Sequence, residues 1–176
     1  MKSQIEPRVF ISCREIETVV CQLAARINED YRGRKLILVA VLKGAFVFMA
    51  DLIRHLDLQA EVEFVGLSSY GQSRESSGKV KVVQDLCTDI RGQDVLIVED
   101  IIDTGLTTNF LLNYLKKQKP SSVKICSLTS KPSRRKLPVN IDYLGFEVPD
   151  KFIVGYGIDW DGKFRHLPDL CFIKEE

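Results

Sequence analysis

The chain has 176 residues and a mass of 20.0 kDa, and its 45% hydrophobic and 28% charged residues, with 11 Gly and 6 Pro, exclude a disordered, collagen-like or low-complexity protein. Its 25 Lys+Arg against 24 Asp+Glu leave a formal charge of +1, so no overall field draws it toward nucleic acid or a membrane surface. The five cysteines, an odd number with no C-x-x-C pair, argue against a disulfide framework or a zinc site and for a reducing compartment.

Met1 to Phe10 carries Glu6, Pro7 and Arg8 where a signal peptide needs an apolar run, so a cytoplasmic location is expected. Ser12 and Glu15 form a capping-box pattern ahead of Ile16, Val19, Val20, Leu23, Ala24 and Ile27, which predicts a helix over residues 12–30. The apolar run Leu36–Leu42 has strand length and no alternation, as in a parallel sheet buried on both faces. Lys43-Gly44 and Asp51 break the longer stretch to Ile53, which is read as strand, turn and a short helix over about 45–55 rather than a membrane span. Strands are expected at 60–67 and 79–86 around the polar loop Ser68–Gly78, then at 94–98. A helix reaching about Lys117 and a strand at 123–128 follow. Beyond Lys131 come Pro132, the basic run Arg134-Arg135-Lys136 and short β-like pieces without a helix, so residues 1–176 are expected to form one α/β domain.

The chemistry concentrates at Val95–Thr108, where a buried strand meets three carboxylates, then a glycine among threonines, then a helix. Ligands of open α/β sheets bind outside the carboxyl ends of strands. Thr104, Thr107 and Thr108 offer hydroxyls, Gly105 permits close backbone approach, and the helix start presents free N–H groups, which together suit a phosphate. No G-x-x-x-x-G-K-[ST] or G-x-G-x-x-G occurs to suggest a nucleoside triphosphate or dinucleotide. Glu99, Asp100 and Asp103 would repel one another unless a metal, a cationic group or hydroxyl donors met them, and carboxylates beside a phosphate cradle suggest a sugar phosphate. The blander alternative makes Asp103 a helix cap and Glu99 a solvated strand-end acid.

Val98–Thr108 resembles the phosphoribosyl pyrophosphate motif of type I phosphoribosyltransferases, in particular the hypoxanthine-guanine branch. Leu42-Lys43-Gly44 is similar to the family's pyrophosphate loop, Ser68-Ser69-Tyr70-Gly71 to the start of its flexible loop, and Lys131-Pro132 with Lys151–Asp159 to its purine pocket. The resemblance implies a mostly parallel central sheet flanked by helices, with a small hood contributed by the termini. It also implies purine salvage: the phosphoribosyl group of 5-phosphoribosyl 1-pyrophosphate passes to hypoxanthine or guanine, giving IMP or GMP and pyrophosphate, with Mg²⁺.

By the same resemblance Glu99 and Asp100 hold the ribose hydroxyls, Asp103 is the general base, and Thr104, Gly105, Leu106, Thr107 and Thr108 line the 5′-phosphate. Lys43, Gly44 and Arg165 meet the pyrophosphate, at a loop that in the family often has a non-proline cis peptide. Lys131, Phe152 and Ile153 contact the purine, Ser69 and Tyr70 belong to the flexible loop, and Asp159, with Glu99 and Asp100, binds Mg²⁺. No nucleic acid or membrane partner is expected, and the assembly is expected to be a homodimer or homotetramer. Two alternatives stand beside this: a regulator of this fold that binds RNA through Arg134-Arg135-Lys136, whose blander interpretation is a solvated charge run, and an enzyme of the same fold preferring xanthine.

Overall fold

A computed structural model describes residues 6–69 and 80–173. In chain order the elements are β1 (Arg8–Ile11), α1 (Cys13–Asp30), β2 (Leu36–Leu42), α2 (Phe46–Arg54), β3 (Ala60–Ser69), β4 (Val80–Gln84), β5 (Asp94–Ile102), α3 (Leu106–Lys116), β6 (Ser122–Ser130), β7 (Tyr143–Glu147), β8 (Phe152–Val154) and β9 (Leu170–Ile173). A single 3-10 turn, Pro132–Arg134, follows β6. The loop expected over Ser68–Gly78 lies outside the described residues from Tyr70 onward, while Ser68 and Ser69 end β3.

Helix α1 begins where its capping box places it: Ser12 Oγ accepts from the Glu15 N–H, and Glu15 Oε2 accepts from the Ser12 N–H at 2.9 Å. The main sheet has the order β4-β3-β2-β5-β6-β7, with β4 antiparallel at one edge and the other strands parallel. Strand β2 is apolar throughout because both its faces are covered. Leu36, Leu38 and Ala40 join the core under α1 and α2, and Ile37, Val39 and Val41 join the core under α3.

Strand β5 continues past the expected end at Val98 to Ile102, so the acids extend the strand instead of opening a loop. The ladder to β6 carries on through Glu99↔Ser127 and Ile101↔Thr129, and these pairings outweigh the low strand propensity of the acids. Chain order reverses across β2 and β5, which makes their adjacent carboxyl ends a topological switch point.

A second, three-stranded sheet, β1-β9-β8, joins the N-terminal segment to the C-terminal one and forms the hood. Its β1 is not evident from the local sequence, because four residues, three of them exposed, carry no burial pattern; pairing with β9 and the stack of Phe10 on Phe172, 4.1 Å between centroids, make it a strand. Among the described residues no helix is long and apolar enough to cross a membrane.

Candidate active site

The end of β2 turns sharply through Lys43 and Gly44, and the Leu42–Lys43 peptide is cis. A Cβ at Gly44 would overlap the carboxylate of Asp100 and force it to move. Gly157, at φ +96°, closes the other side, where a Cβ would overlap the Gly44 carbonyl oxygen. Arg165 Nη1 donates to the Gly157 carbonyl at 2.7 Å, and its Nη2 lies 2.6 Å from Asp159 Oδ1. Asp159 Oδ2 in turn accepts from the Gly162 N–H at 2.7 Å. Lys43, Gly44, Asp100, Asp159 and Arg165 are thereby gathered into one contiguous wall.

Beside it, Glu99 is 4% exposed. Burial first, and the Asp100 charge second, push the Glu99 carboxyl well above the usual carboxylate range. Asp100 is pushed up to about 6 by burial, against the backbone N–H groups of Ile101 and Asp100 and the Arg165 cation, which pull it down. Folded-state values raised in this way mean that ionising the acids opposes folding, so stability falls as pH rises from about 4 through about 6. Asp100→Asn is therefore expected to stabilise the ligand-free protein by about 3 kcal/mol at pH 8 and by well under 1 kcal/mol at pH 4. Urea unfolding at the two pH values checks this, and equal midpoint shifts at both would contradict it.

Helix α3 opens on Gly105, whose φ of +81° is left-handed and whose Cβ would meet the Leu137 carbonyl oxygen at 2.7 Å. The Gly105 N-cap brings no side chain, the Leu106 N–H donates to Thr104 Oγ1 at 3.4 Å, and the following N–H groups of the first turn can meet an anion. Thr104, Leu106 and Thr107 border this end, and Thr108, the third residue of the helix, is buried. Asp103 does not cap the helix.

Lys131 follows β6 and is 6% exposed; its N–H donates to the Ile102 carbonyl at 2.9 Å, which sets it beside Asp103. Desolvation pulls its ammonium below the ordinary lysine range, partly offset by Asp103. Phe152 is 44% exposed and Ile153 is buried at the start of β8.

Two charges missed in the sequence belong here. Arg134 Nε lies 2.9 Å from Asp103 Oδ1 and its Nη1 3.3 Å from Asp150 Oδ1, and Arg135 Nη2 donates to Ser130 Oγ at 2.6 Å. Arg134 and Arg135 are thus engaged by neighbouring groups, although the Arg134 side chain stays 45% exposed. The signal lay in their position one turn after Lys131, at the same sheet edge as the acids. An open apolar pocket of about 490 Å³ flanks the Lys43 turn, lined by Leu42, Lys43, Phe46, Phe64, Gln84 and Arg165.

The phosphoribosyl transferase domain family matches residues 12–161. The chain is 47% identical to the hypoxanthine-guanine phosphoribosyltransferase of Bacillus subtilis (strain 168), covering 99% of this chain and 96% of that one. The chain belongs to the hypoxanthine-guanine phosphoribosyltransferase family. It is also 45% identical to the hypoxanthine phosphoribosyltransferase of Escherichia coli (strain K12), over 96% of this chain and 94% of that one. The crystal structure of a hypoxanthine-guanine phosphoribosyltransferase from Bacillus anthracis superposes with a TM-score of 0.92 at 44% identity, covering 97% of this chain and all of the other. The family's mixed α/β fold, with a mostly parallel sheet flanked by helices, is the one described above.

Proposed function

We propose that the chain transfers the phosphoribosyl group of 5-phosphoribosyl 1-pyrophosphate to hypoxanthine or guanine. The observation that carries this is the buried Glu99 beside the half-buried Asp100, between the Gly44 turn and the start of α3. Two desolvated acids favour ligands that bring hydroxyl donors or a cation, and the ribose of such a donor brings hydroxyls. The helix start with Thr104, Gly105, Leu106, Thr107 and Thr108 would receive the 5′-phosphate. Lys43, Gly44 and Arg165 would receive the pyrophosphate.

In the reaction the bond from ribose C1 to a pyrophosphate oxygen breaks and a bond from C1 to an imidazole nitrogen of the purine forms. The imidazole proton passes to the Asp103 carboxylate, and IMP or GMP and pyrophosphate leave. The cation-like ribose needs no protein nucleophile, only positioning and carboxylates nearby. Lys131 would donate to the exocyclic oxygen of the base, with Phe152 stacking on its ring and the Ile153 backbone at its edge.

The hard oxygen donors of Asp100, Glu99 and Asp159 fit Mg²⁺. Among the described residues no group of three such side chains is gathered to hold an ion by itself, so an ion there would need further oxygens from water and substrate phosphates. Bound there, Mg²⁺ would neutralise charge on the departing pyrophosphate. The RNA-binding alternative loses support because Arg134 and Arg135 are engaged by Asp103, Asp150 and Ser130. Self-association as a homodimer or homotetramer and a cytoplasmic location accompany this proposal.

The test is initial rates with hypoxanthine, guanine and xanthine, the phosphoribosyl donor, and Mg²⁺ present or chelated. Turnover of the first two that stops on chelation is expected. Preference for xanthine would change the substrate, and no turnover of any purine would refute the proposal.

A further inference from the structure

Past β8 the chain turns through Gly155, Tyr156 and Gly157, with φ values of +97°, +48° and +96°. Glycine takes that region freely, but for a bulky side chain it is unfavourable and persists only where the surroundings hold it. Tyr156 is held at both ends: its N–H donates to the Leu167 carbonyl at 2.8 Å, and its hydroxyl donates to Asp51 Oδ2 at 2.6 Å. Asp51 lies on α2, the helix that begins two residues after Gly44. On its other side the turn grips Arg165. The Gly157 N–H donates to the Arg165 carbonyl at 3.0 Å, the Gly157 carbonyl accepts from Arg165 Nη1 at 2.7 Å, and Arg165 is paired with Asp159. One tyrosine hydroxyl thus links the helix behind the Lys43 turn to the loop that carries Arg165 and Asp159.

We propose that Tyr156 is a positioning residue for the pyrophosphate end of the donor: its hydrogen bond to Asp51 holds the Gly157 turn against the Gly44 turn and so sets Arg165 and Asp159 beside Lys43. This rests on the phosphoribosyl transfer proposed above. The Tyr156 ring is buried in the main core, a packing role that phenylalanine would fill equally, and what the hydroxyl adds is the bond to Asp51. The Asp51 side chain is 37% exposed and lies 3.3 Å from Arg54, so without the hydroxyl it keeps water and a cation and no charge is stranded. Losing the bond therefore loosens the turn and leaves the fold standing. The purine side is tied separately, since β8 pairs with β9 through Phe152↔Ile173 and Ile153↔Phe172.

The experiment titrates inorganic pyrophosphate and, separately, IMP into the wild-type chain, Tyr156→Phe, Asp51→Ala, Asp51→Asn and the Tyr156→Phe/Asp51→Ala double variant by calorimetry with Mg²⁺ present, beside donor KM and kcat. For Tyr156→Phe, the pyrophosphate Kd and the donor KM are expected to rise by about tenfold, the equivalent of one ordinary interaction. The IMP Kd and kcat should stay within about threefold, because nucleotide contacts do not run through Arg165. Asp51→Ala should match Tyr156→Phe, the double variant should be no worse than either, and Asp51→Asn, which keeps an acceptor, should bind nearly as the wild type does. An unchanged pyrophosphate Kd overturns the proposal, as do an equal loss of IMP binding, which marks a general prop of the fold, and additive losses in the double variant. If Tyr156→Phe does not fold, Asp51→Ala, on the helix surface, decides by the same selective loss or its absence. Pyrophosphate binding needs no turnover, so the two readings fail separately: a wild-type chain that turns over no purine refutes the transfer reaction, and an unselective Tyr156→Phe in an active enzyme refutes the role of Tyr156 alone.

Discussion

Asp103→Asn is expected to lower kcat by about 10²- to 10⁴-fold, the contribution of a positioned acid–base group, while the fold and donor affinity remain. An amide keeps the shape and one acceptor but cannot take the imidazole proton at neutral pH. Asp103 is three residues beyond Asp100 and outside the helix cap, so neither the acid pair nor the start of α3 depends on it. Arg134 would lose its charge partner and keep Asp150, which holds the turn in place. Steady-state rates beside donor titration calorimetry measure the two quantities separately. A kcat within twofold of wild type would remove Asp103 from the mechanism, and a parallel loss of donor binding would make it a binding residue instead.

Discrimination against adenine is expected to reach roughly 10⁴-fold in kcat/KM relative to hypoxanthine, and the reason is Lys131. An ammonium has three donors and no acceptor, so it satisfies an exocyclic oxygen and leaves an exocyclic amino group facing another donor. At 6% exposure little water can intervene, and the unmatched groups would stay buried without compensation. Desolvation already disfavours the charged lysine, and an amino group opposite would disfavour it further. Lys131→Gln should narrow the gap, because an amide carbonyl can accept from adenine. Comparable kcat/KM for adenine and hypoxanthine in the wild-type chain would show that Lys131 does not read the base.

How much of this is legible in the chain depends on the distance over which each feature acts. The start of α1 can be read because Ser12 and Glu15 are three residues apart and complete their exchange within one turn. Burial of both faces of β2 can be read because an unbroken apolar run has no other place in a folded chain. The phosphate cradle is local too, a strand, a left-handed glycine and a helix start in succession, and the family resemblance extends this to the hood and the purine segment.

Other features were decided only in three dimensions. Glycine at position 44 leaves room for the Asp100 carboxylate that stands against it, and nothing near Gly44 in the sequence announces that neighbour. Strand β1 exists because β9 is beside it, and β5 outruns its apolar stretch because β6 supplies partners for the acids. Arg134-Arg135 is a charge run to any local rule, yet the turn after β6 brings it to Asp103, Asp150 and Ser130. Local patterns record what a residue does to its own turn or strand, where backbone geometry fixes the neighbours in advance. Which carboxylate faces which cation across the sheet edge depends on strand order and register, and these are set by burial of the whole core rather than by the residues that meet there.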